Sequence, residues 1–377
     1  MMKHSFPVFL YKSALFVLAG AMPGCTDTSG GCYKMIVGTY TENTSSKGIY
    51  VYEVNAKTGS ANQLFVAGDV INPSYVALSP DKENLYAVNE FSGRSTVSGF
   101  SFDEHTGALQ LLNVVETPDA DPCYISITDK HVITAGYTSG SISVFERKDD
   151  GSLSDVRQVI YHTGKSVDTV RQQAPHVHQA IFTPGRRYLL SCDLGTDKIT
   201  VYRYCPEDAT KILTAVDSLT VKKGSGPRHL VLNANGDRAY LLQELDGTVT
   251  VLSVGADATL SILQETTIST DNPAGNGAAA IHVSPDGQFV YATNRGTADN
   301  ITCFAVQENG QLERVGQVAT GGKSPRDFTI TPDGRYIFVA HQQTGNITIF
   351  RRNKNTGKLT ATGKEIKSHA PVCLVAY

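Results

Sequence analysis

The chain of 377 residues predicts an all-β fold, a seven-bladed β-propeller with four antiparallel strands per blade. Three observations carry this. A strand–turn–strand outline recurs about every fifty residues, two further strands follow each copy, and the seventh copy is divided between the two ends of the chain. Composition agrees: 34 glycines, 15 prolines and many β-branched residues favour strands and turns, and 41% hydrophobic with 18% charged residues is globular. There is no tryptophan, which excludes repeats built on a Trp-Asp dipeptide.

The copies superpose closely. PSYVALSPDKENLYAVNE (73–90), GPRHLVLNANGDRAYLLQE (226–244), AAAIHVSPDGQFVYATNR (278–295) and SPRDFTITPDGRYIFVAHQ (324–342) share one outline. VHQAIFTPGRRYLLSCDL (177–194) and PCYISITDKHVITAGY (122–137) are looser versions. In the four closer copies the turn is Pro-Asp-Gly or a variant: proline presets φ, and the residues after it close a tight hairpin. A third strand (KITVYRY, TVTVLSV, NITIFRR and their equivalents) and a shorter fourth complete each unit.

The first strands open at Ser74, Cys123, His178, Arg228, Ala279, Arg326 and Val372, with spacings of 49, 55, 50, 51, 47 and 46 residues. After Val372 the chain supplies only one strand, PVCLVAY; the missing three are KMIVGTYT, GIYVYEV and NQLFVAG near the start. Pairing the last strand with the first three satisfies both open edges and closes the ring. Residues 33–377 are therefore expected to form one propeller domain, most simply a monomer, after a leader over 1–32.

That leader has a charged start, with Lys3 and Lys12, then the apolar, small-residue run ALFVLAGAMPGC. It predicts an export signal, and Gly24–Cys25 resembles the lipidated cysteine of bacterial lipoproteins. The expected location is the cell envelope or periplasm; the alternative is a cytoplasmic protein whose translation starts near Met35. The seven cysteines are scattered, with no C-x-x-C, so neither a zinc site nor a disulfide framework is predicted. A net charge of −3 offers no basic face for nucleic acid.

Where the copies stop agreeing, a site is expected. The third residues of the first strands (Val76, Ile125, Ala180, Leu230, Ile281, Phe328, Leu374) and the fifth are all apolar, as packing between blades requires. The opening position instead holds His178, Arg228 and Arg326, and the ends of the second strands hold Glu90, Tyr137, Leu194, Glu244, Arg295 and Gln342. In a propeller both positions converge on one mouth of the central channel. Three arginines, two glutamates and a histidine gathered there, from several blades, predict a binding site for an anion, with guanidinium forks matched to phosphate or carboxylate. A structural ring of ion pairs is the alternative for any one of them. His176 and His178, two apart on a strand, face one side and could reach a metal with Glu244 or Glu90. The metal-free arrangement is preferred, and no cofactor is predicted.

With GSGPRHLVL, QEL at 243–245, AIHVSPDGQFVYATNRG and SPRDFTITPDGRYIFVA, the chain resembles the seven-bladed lactonase family of bacterial propeller-type 6-phosphogluconolactonases and fungal carboxymuconate lactonising enzymes. The resemblance covers nearly everything after the leader. It implies a histidine, two arginines and a glutamate as active residues, which here are His178, Arg228, Glu244 and Arg295. It implies hydrolysis of a sugar lactone, foremost 6-phosphogluconolactone, with Glu244 or His178 activating water. Arg228 and Arg295 would stabilise the oxyanion or hold an acidic group. Arg326 is the further candidate for phosphate, with Glu90 and His229 beside the substrate. Gln243 departs from the family's usual asparagine, and a leader is foreign to a cytoplasmic sugar phosphate. Two other readings are a non-catalytic binding propeller with YVTN-like repeats, and a ring-closing or ring-opening enzyme acting on a muconate-like diacid.

Overall fold

The computed structural model describes residues 31–91, 95–269 and 277–377. Within them lie twenty-eight strands and no helix. They form seven four-stranded antiparallel sheets. The first residues of the chain, including Cys25 and most of the expected leader, lie outside the described residues, and the first strand already begins at Cys32.

Six blades are sequential, and their inner two strands carry the site. In blade one these are β4 (Tyr75–Leu78) and β5 (Asn84–Asn89); in blade two, β8 (Pro122–Ile127) and β9 (His131–Gly136); in blade three, β12 (Val177–Phe182) and β13 (Tyr188–Asp193). Blade four has β16 (Pro227–Leu232) and β17 (Arg238–Gln243), blade five β20 (Ala278–Val283) and β21 (Phe289–Asn294), and blade six β24 (Pro325–Ile330) and β25 (Tyr336–His341). Blade seven closes the ring as expected: β28 (Pro371–Ala376) pairs with β1 (Cys32–Thr39), followed by β2 (Gly48–Asn55) and β3 (Ala61–Gly68).

Packing between blades follows from the pattern of apolar residues. The third residue of every first strand is buried, from Val76 and Phe328 at 0% exposure to Leu374 at 4%. Val76 sits with Ile36, Ile49 and Val51 of blade seven; Leu230 sits with Leu190, Cys192 and Val201 of blade three. Each of these side chains larger than the Ala180 methyl contributes about 1.5–3 kcal/mol by leaving water. The fifth residues, Leu78 and Ile330 among them, are only partly buried, because the strands there approach the opposite end of the channel. Polar clasps join neighbouring blades as well. The Tyr86 hydroxyl donates to the Gly151 carbonyl, and Arg147 Nε donates to that hydroxyl. Tyr291, Gly357 and Arg352 repeat the device, with Arg352 Nη2 also donating to both carboxylate oxygens of Asp286.

One feature departs from simple alternation. The pairing register slips at the opening residue of six first strands: at Cys123, His178, Arg228, Arg326 and Val372, and over Ala279–Ala280. A bulge leaves its extra residue outside the ladder and re-aims its side chain. The opening residue is thus released from the apolar alternation that governs the third and fifth. That is why arginine and histidine can stand directly before a buried strand.

Below the bulges the channel is plugged. Tyr75 and Tyr124 lie with ring centroids 4.4 Å apart, and His229 meets both edge-on at 6.1 and 5.4 Å. Because Tyr75 and His229 come from opposite sides of the ring, the plug spans the axis and turns the upper channel into a pit.

Candidate active site

The pit is a cavity of about 530 Å³ walled by Glu90, Cys123, Tyr137, Arg171, His178, Glu244, Arg295 and Arg326, with Gly277, Gly296 and Ser324 at its edge. Most of these stand at two register positions. His178, Cys123 and Arg326 are bulge residues; Glu90, Tyr137, Glu244 and Arg295 each follow the last residue of a second strand. Of the seven residues expected from sequence, five reach the wall. Arg228 is 2% exposed and stands behind Glu244, and His229 is part of the floor.

Glu244 organises one side. Its Oε1 accepts from Arg171 at 2.7 Å, and its Oε2 accepts from Arg228 Nε at 2.9 Å and forms an ion pair with Arg295 at 3.2 Å. Burial alone would raise the Glu244 carboxyl, but the charges of Arg295, Arg228 and Arg171 overcome it and hold it at about 2. Burial lowers Arg295 to about 10, with Glu244 opposing, so it remains a cation at neutral pH. Arg295 also donates to the Gly277 carbonyl at 2.8 Å, which fixes its fork toward the pit. Arg228 donates to the Ala279 carbonyl and, at 3.4 Å, to His229 Nδ1; Nε2 of that ring is buried with no hydrogen-bond partner among the described residues. The turn before Arg228 depends on Gly226, whose φ of +70° suits glycine and whose Cβ would strike Leu245 at 2.8 Å.

His178 is buried, and its Nδ1 lies 3.7 Å from the Cys123 sulfur. Burial, then the charges of Arg228 and Arg326, pull its pKa well below the usual value, so the imidazole is neutral at pH 7. Burial likewise pushes the Cys123 thiol up, leaving it protonated at neutral pH. His176 does not join His178 on a metal: it stacks on Tyr137 at 4.5 Å, with Nδ1 on the Tyr137 carbonyl, while His178 meets the edge of the same ring at 5.6 Å. Among the described residues, no three His, Cys, Asp or Glu side chains are grouped to share a metal ion.

The opposite side is differently made. Tyr40, immediately after β1, donates to Glu90 Oε2 at 2.8 Å, and the Arg326 guanidinium lies over the Tyr40 ring at 5.2 Å. Arg326 has no hydrogen bond or ion pair among the described residues. Four guanidiniums against two carboxylates leave an excess of two positive charges around the pit. A surface groove of equal volume between blades six and seven is also basic, but its lining of Lys57, Arg335, Arg351, Arg352, Lys354 and neutral residues includes no acid or imidazole. Unlike that groove, the pit combines cations with groups able to move a proton.

Two wall and rim residues escaped the sequence reading. Arg171 belongs to the connection 162–176, the longest between described neighbouring blades, and it bridges Glu244 and the Tyr137 hydroxyl at 2.9 Å. Its signal was the 55-residue spacing between Cys123 and His178, the widest of the series. That strap is tied down by buried acids. Asp193 accepts from His162 Nδ1 at 2.9 Å and the His176 amide at 2.8 Å, gripping both ends. Asp197 accepts from Ser166 and Gln172 of the strap and from the Gly224 and Gly226 amides. Gly195 permits the close approach, since a Cβ there would lie 1.9 Å from the Ala174 carbonyl oxygen. Tyr40 occupies, in the split seventh blade, the position that Glu90 and Glu244 occupy in theirs.

Comparison with known proteins agrees with this architecture. The chain matches the family described as lactonase, 7-bladed beta-propeller, over residues 34–376. It is 36% identical over 343 residues to the 6-phosphogluconolactonase of Bacillus subtilis, covering 90% of this chain and 96% of that one. The crystal structure of a Bacteroides fragilis protein, 42% identical, aligns with a TM-score of 0.89 over 93% of this chain and 99% of that chain. The periplasmic gluconolactonase of Pseudomonas aeruginosa, 36% identical, aligns with a TM-score of 0.87 over 92% and 99%.

Proposed function

The chain belongs to the seven-bladed β-propeller lactonase family, and on that premise we propose that it hydrolyses a sugar lactone, foremost 6-phosphogluconolactone to 6-phosphogluconate, in the pit at the channel mouth. The observation that carries this reading is the convergence of Arg171, Arg295, Arg326, His178 and Glu90 on one cavity of about 530 Å³, large enough for a sugar phosphate.

Opening a lactone develops negative charge on the carbonyl oxygen and yields a carboxylate, and both are favoured by preorganised cations. Arg295 and Arg171 serve that oxygen, because Glu244 holds their guanidiniums in place before substrate arrives. Arg228 acts from behind as the buried brace of Glu244, and His229 supports the floor. Arg326, with no ion pair among the described residues, takes the phosphate or another acidic group. The neutral His178 ring hydrogen-bonds the substrate's oxygens. Similarity to both a 6-phosphogluconolactonase and a gluconolactonase supports the sugar-lactone class.

The test is acid release from a panel of aldonolactones, phosphorylated and not, measured above spontaneous hydrolysis. Turnover that falls by orders of magnitude in Arg295→Ala, with folding intact, is the expected result. No catalysed release from any lactone would overturn the reading.

A further inference from the structure

We infer that Glu90 is the general base of the hydrolysis, an assignment that rests on the lactonase reading and adds the proton-transfer group to it. Two carboxylates line the pit, and only one has an oxygen to spare. Both oxygens of Glu244 accept from guanidiniums, so protonating it would break contacts that hold Arg171, Arg228 and Arg295. Protonating His178 would add a positive charge to a pit that already carries an excess of two, in a ring buried beside Arg228 and Arg326.

Glu90 has neither burden. Its Oε2 accepts from the Tyr40 hydroxyl, while Oε1 has no hydrogen-bond partner among the described residues. Its main chain is fixed: the Glu90 amide donates to the Asn72 carbonyl at 3.1 Å, and Asn72 Nδ2 donates back to the Glu90 carbonyl at 3.0 Å. Asn72 is in turn gripped through Oδ1 by the amides of Thr41 and Glu42. The groups facing Glu90 are the Tyr40 phenol, the Cys123 thiol and the Arg326 guanidinium, with Glu244 across the pit from a blade on the far side of the ring. A substrate whose carbonyl oxygen points at Arg295 and Arg171 therefore exposes its opposite side to Glu90.

In the step, water oxygen bonds to the carbonyl carbon as its proton passes to Glu90 Oε1. The tetrahedral intermediate then collapses, the bond from carbon to the ring oxygen breaks, and the proton held by Glu90 moves to that oxygen. One water is consumed, a hydroxyl and a carboxylic acid result, and Glu90 returns ionised. The acid then releases its proton to solvent.

The experiment compares wild type with Glu90→Gln and Glu90→Ala on the lactone that wild type turns over best, across pH and with added formate. Glu90→Gln is expected to lose roughly a hundredfold or more in kcat with KM within a few-fold. It should also lose the acid limb of the pH profile, and formate should restore part of the rate to Glu90→Ala. Thermal melting checks that both variants fold. Overturning results are a Glu90→Gln rate within a few-fold of wild type, or a slow variant that keeps the acid limb and ignores formate. Either leaves lactone hydrolysis standing. A wild-type protein inert toward every lactone removes the hydrolysis reading, and this assignment with it.

Discussion

Arg228 Nε and Glu244 Oε2 meet at 2.9 Å inside the wall of the pit, with the arginine side chain 2% exposed. The pair joins the opening residue of one strand to the residue that follows its partner, so blade four carries a fixed charge couple at its upper edge. Two further guanidiniums, Arg171 from a strap and Arg295 from blade five, close on the same carboxylate. Glu244 is thus the counter-ion of the anion-binding wall.

Replacing Glu244 by Gln should accordingly unsettle the fold as well as the reaction. Removing one partner of a buried pair leaves uncompensated charge, a loss of roughly 3–5 kcal/mol. The carboxyl has a folded pKa of about 2 against an ordinary 4.5. A depressed acid lends stability that is fully present above about 4.5 and is lost as pH falls toward 2. Melting temperature followed against pH should decline through that window in wild type and stay flatter in Glu244→Gln.

Arg171 gives a separable outcome. It is the most exposed of the three guanidiniums on Glu244, with 41% of its side chain accessible, so truncation leaves the buried core of the network in place. Arg171→Ala is expected to raise KM for an anionic lactone about tenfold or more, the scale of one charge-assisted hydrogen bond. Arg171→Lys should restore only part, because the flexible, more strongly hydrated ammonium is not held in the guanidinium plane from which Nη2 donates to both Tyr137 and Glu244. Steady-state kinetics on both variants decide it.

For Arg326 the measurement is selectivity. With no ion pair among the described residues and the Tyr40 ring beneath it, its guanidinium is available to a dianion. Arg326→Ala should lower kcat/KM for a phosphorylated lactone by roughly tenfold or more while changing the unphosphorylated analogue far less. Equal losses on both would assign Arg326 to the reacting carbonyl.

The ring itself was legible because its cause is local and repeated: apolar third and fifth residues, a turn after each first strand, and a seventh copy split between the ends. The rim was legible because deviation from that repeat is itself a signal at His178, Arg228, Glu90, Glu244, Arg295 and Arg326. Depth was not. Alternation alone cannot show that a bulge swings His178 to the cavity while Arg228 goes behind Glu244, since both open their strands in the same register. Arg171 was hidden for another reason. It sits on an insertion with no counterpart in the other blades, where register has nothing to compare. Tyr40 was missed because the split blade removed it from its series.

The strap that delivers Arg171 supplies the last prediction. Asp197 is fully buried, has a φ of +54°, and accepts four hydrogen bonds, two from the strap and two from the turn that leads into Arg228. Asp197→Ala leaves those donors unsatisfied and uncouples the strap from blade four. Because each buried donor left unpaired costs on the order of 1–3 kcal/mol, local opening should become frequent. Amide exchange is expected to quicken over 162–176 and 222–228 before it does in β12 or β17, and KM to rise as Arg171 loses its fixed position. Uniform acceleration of exchange throughout the ring would instead mean that Asp197 serves the whole fold and has no particular bearing on the strap.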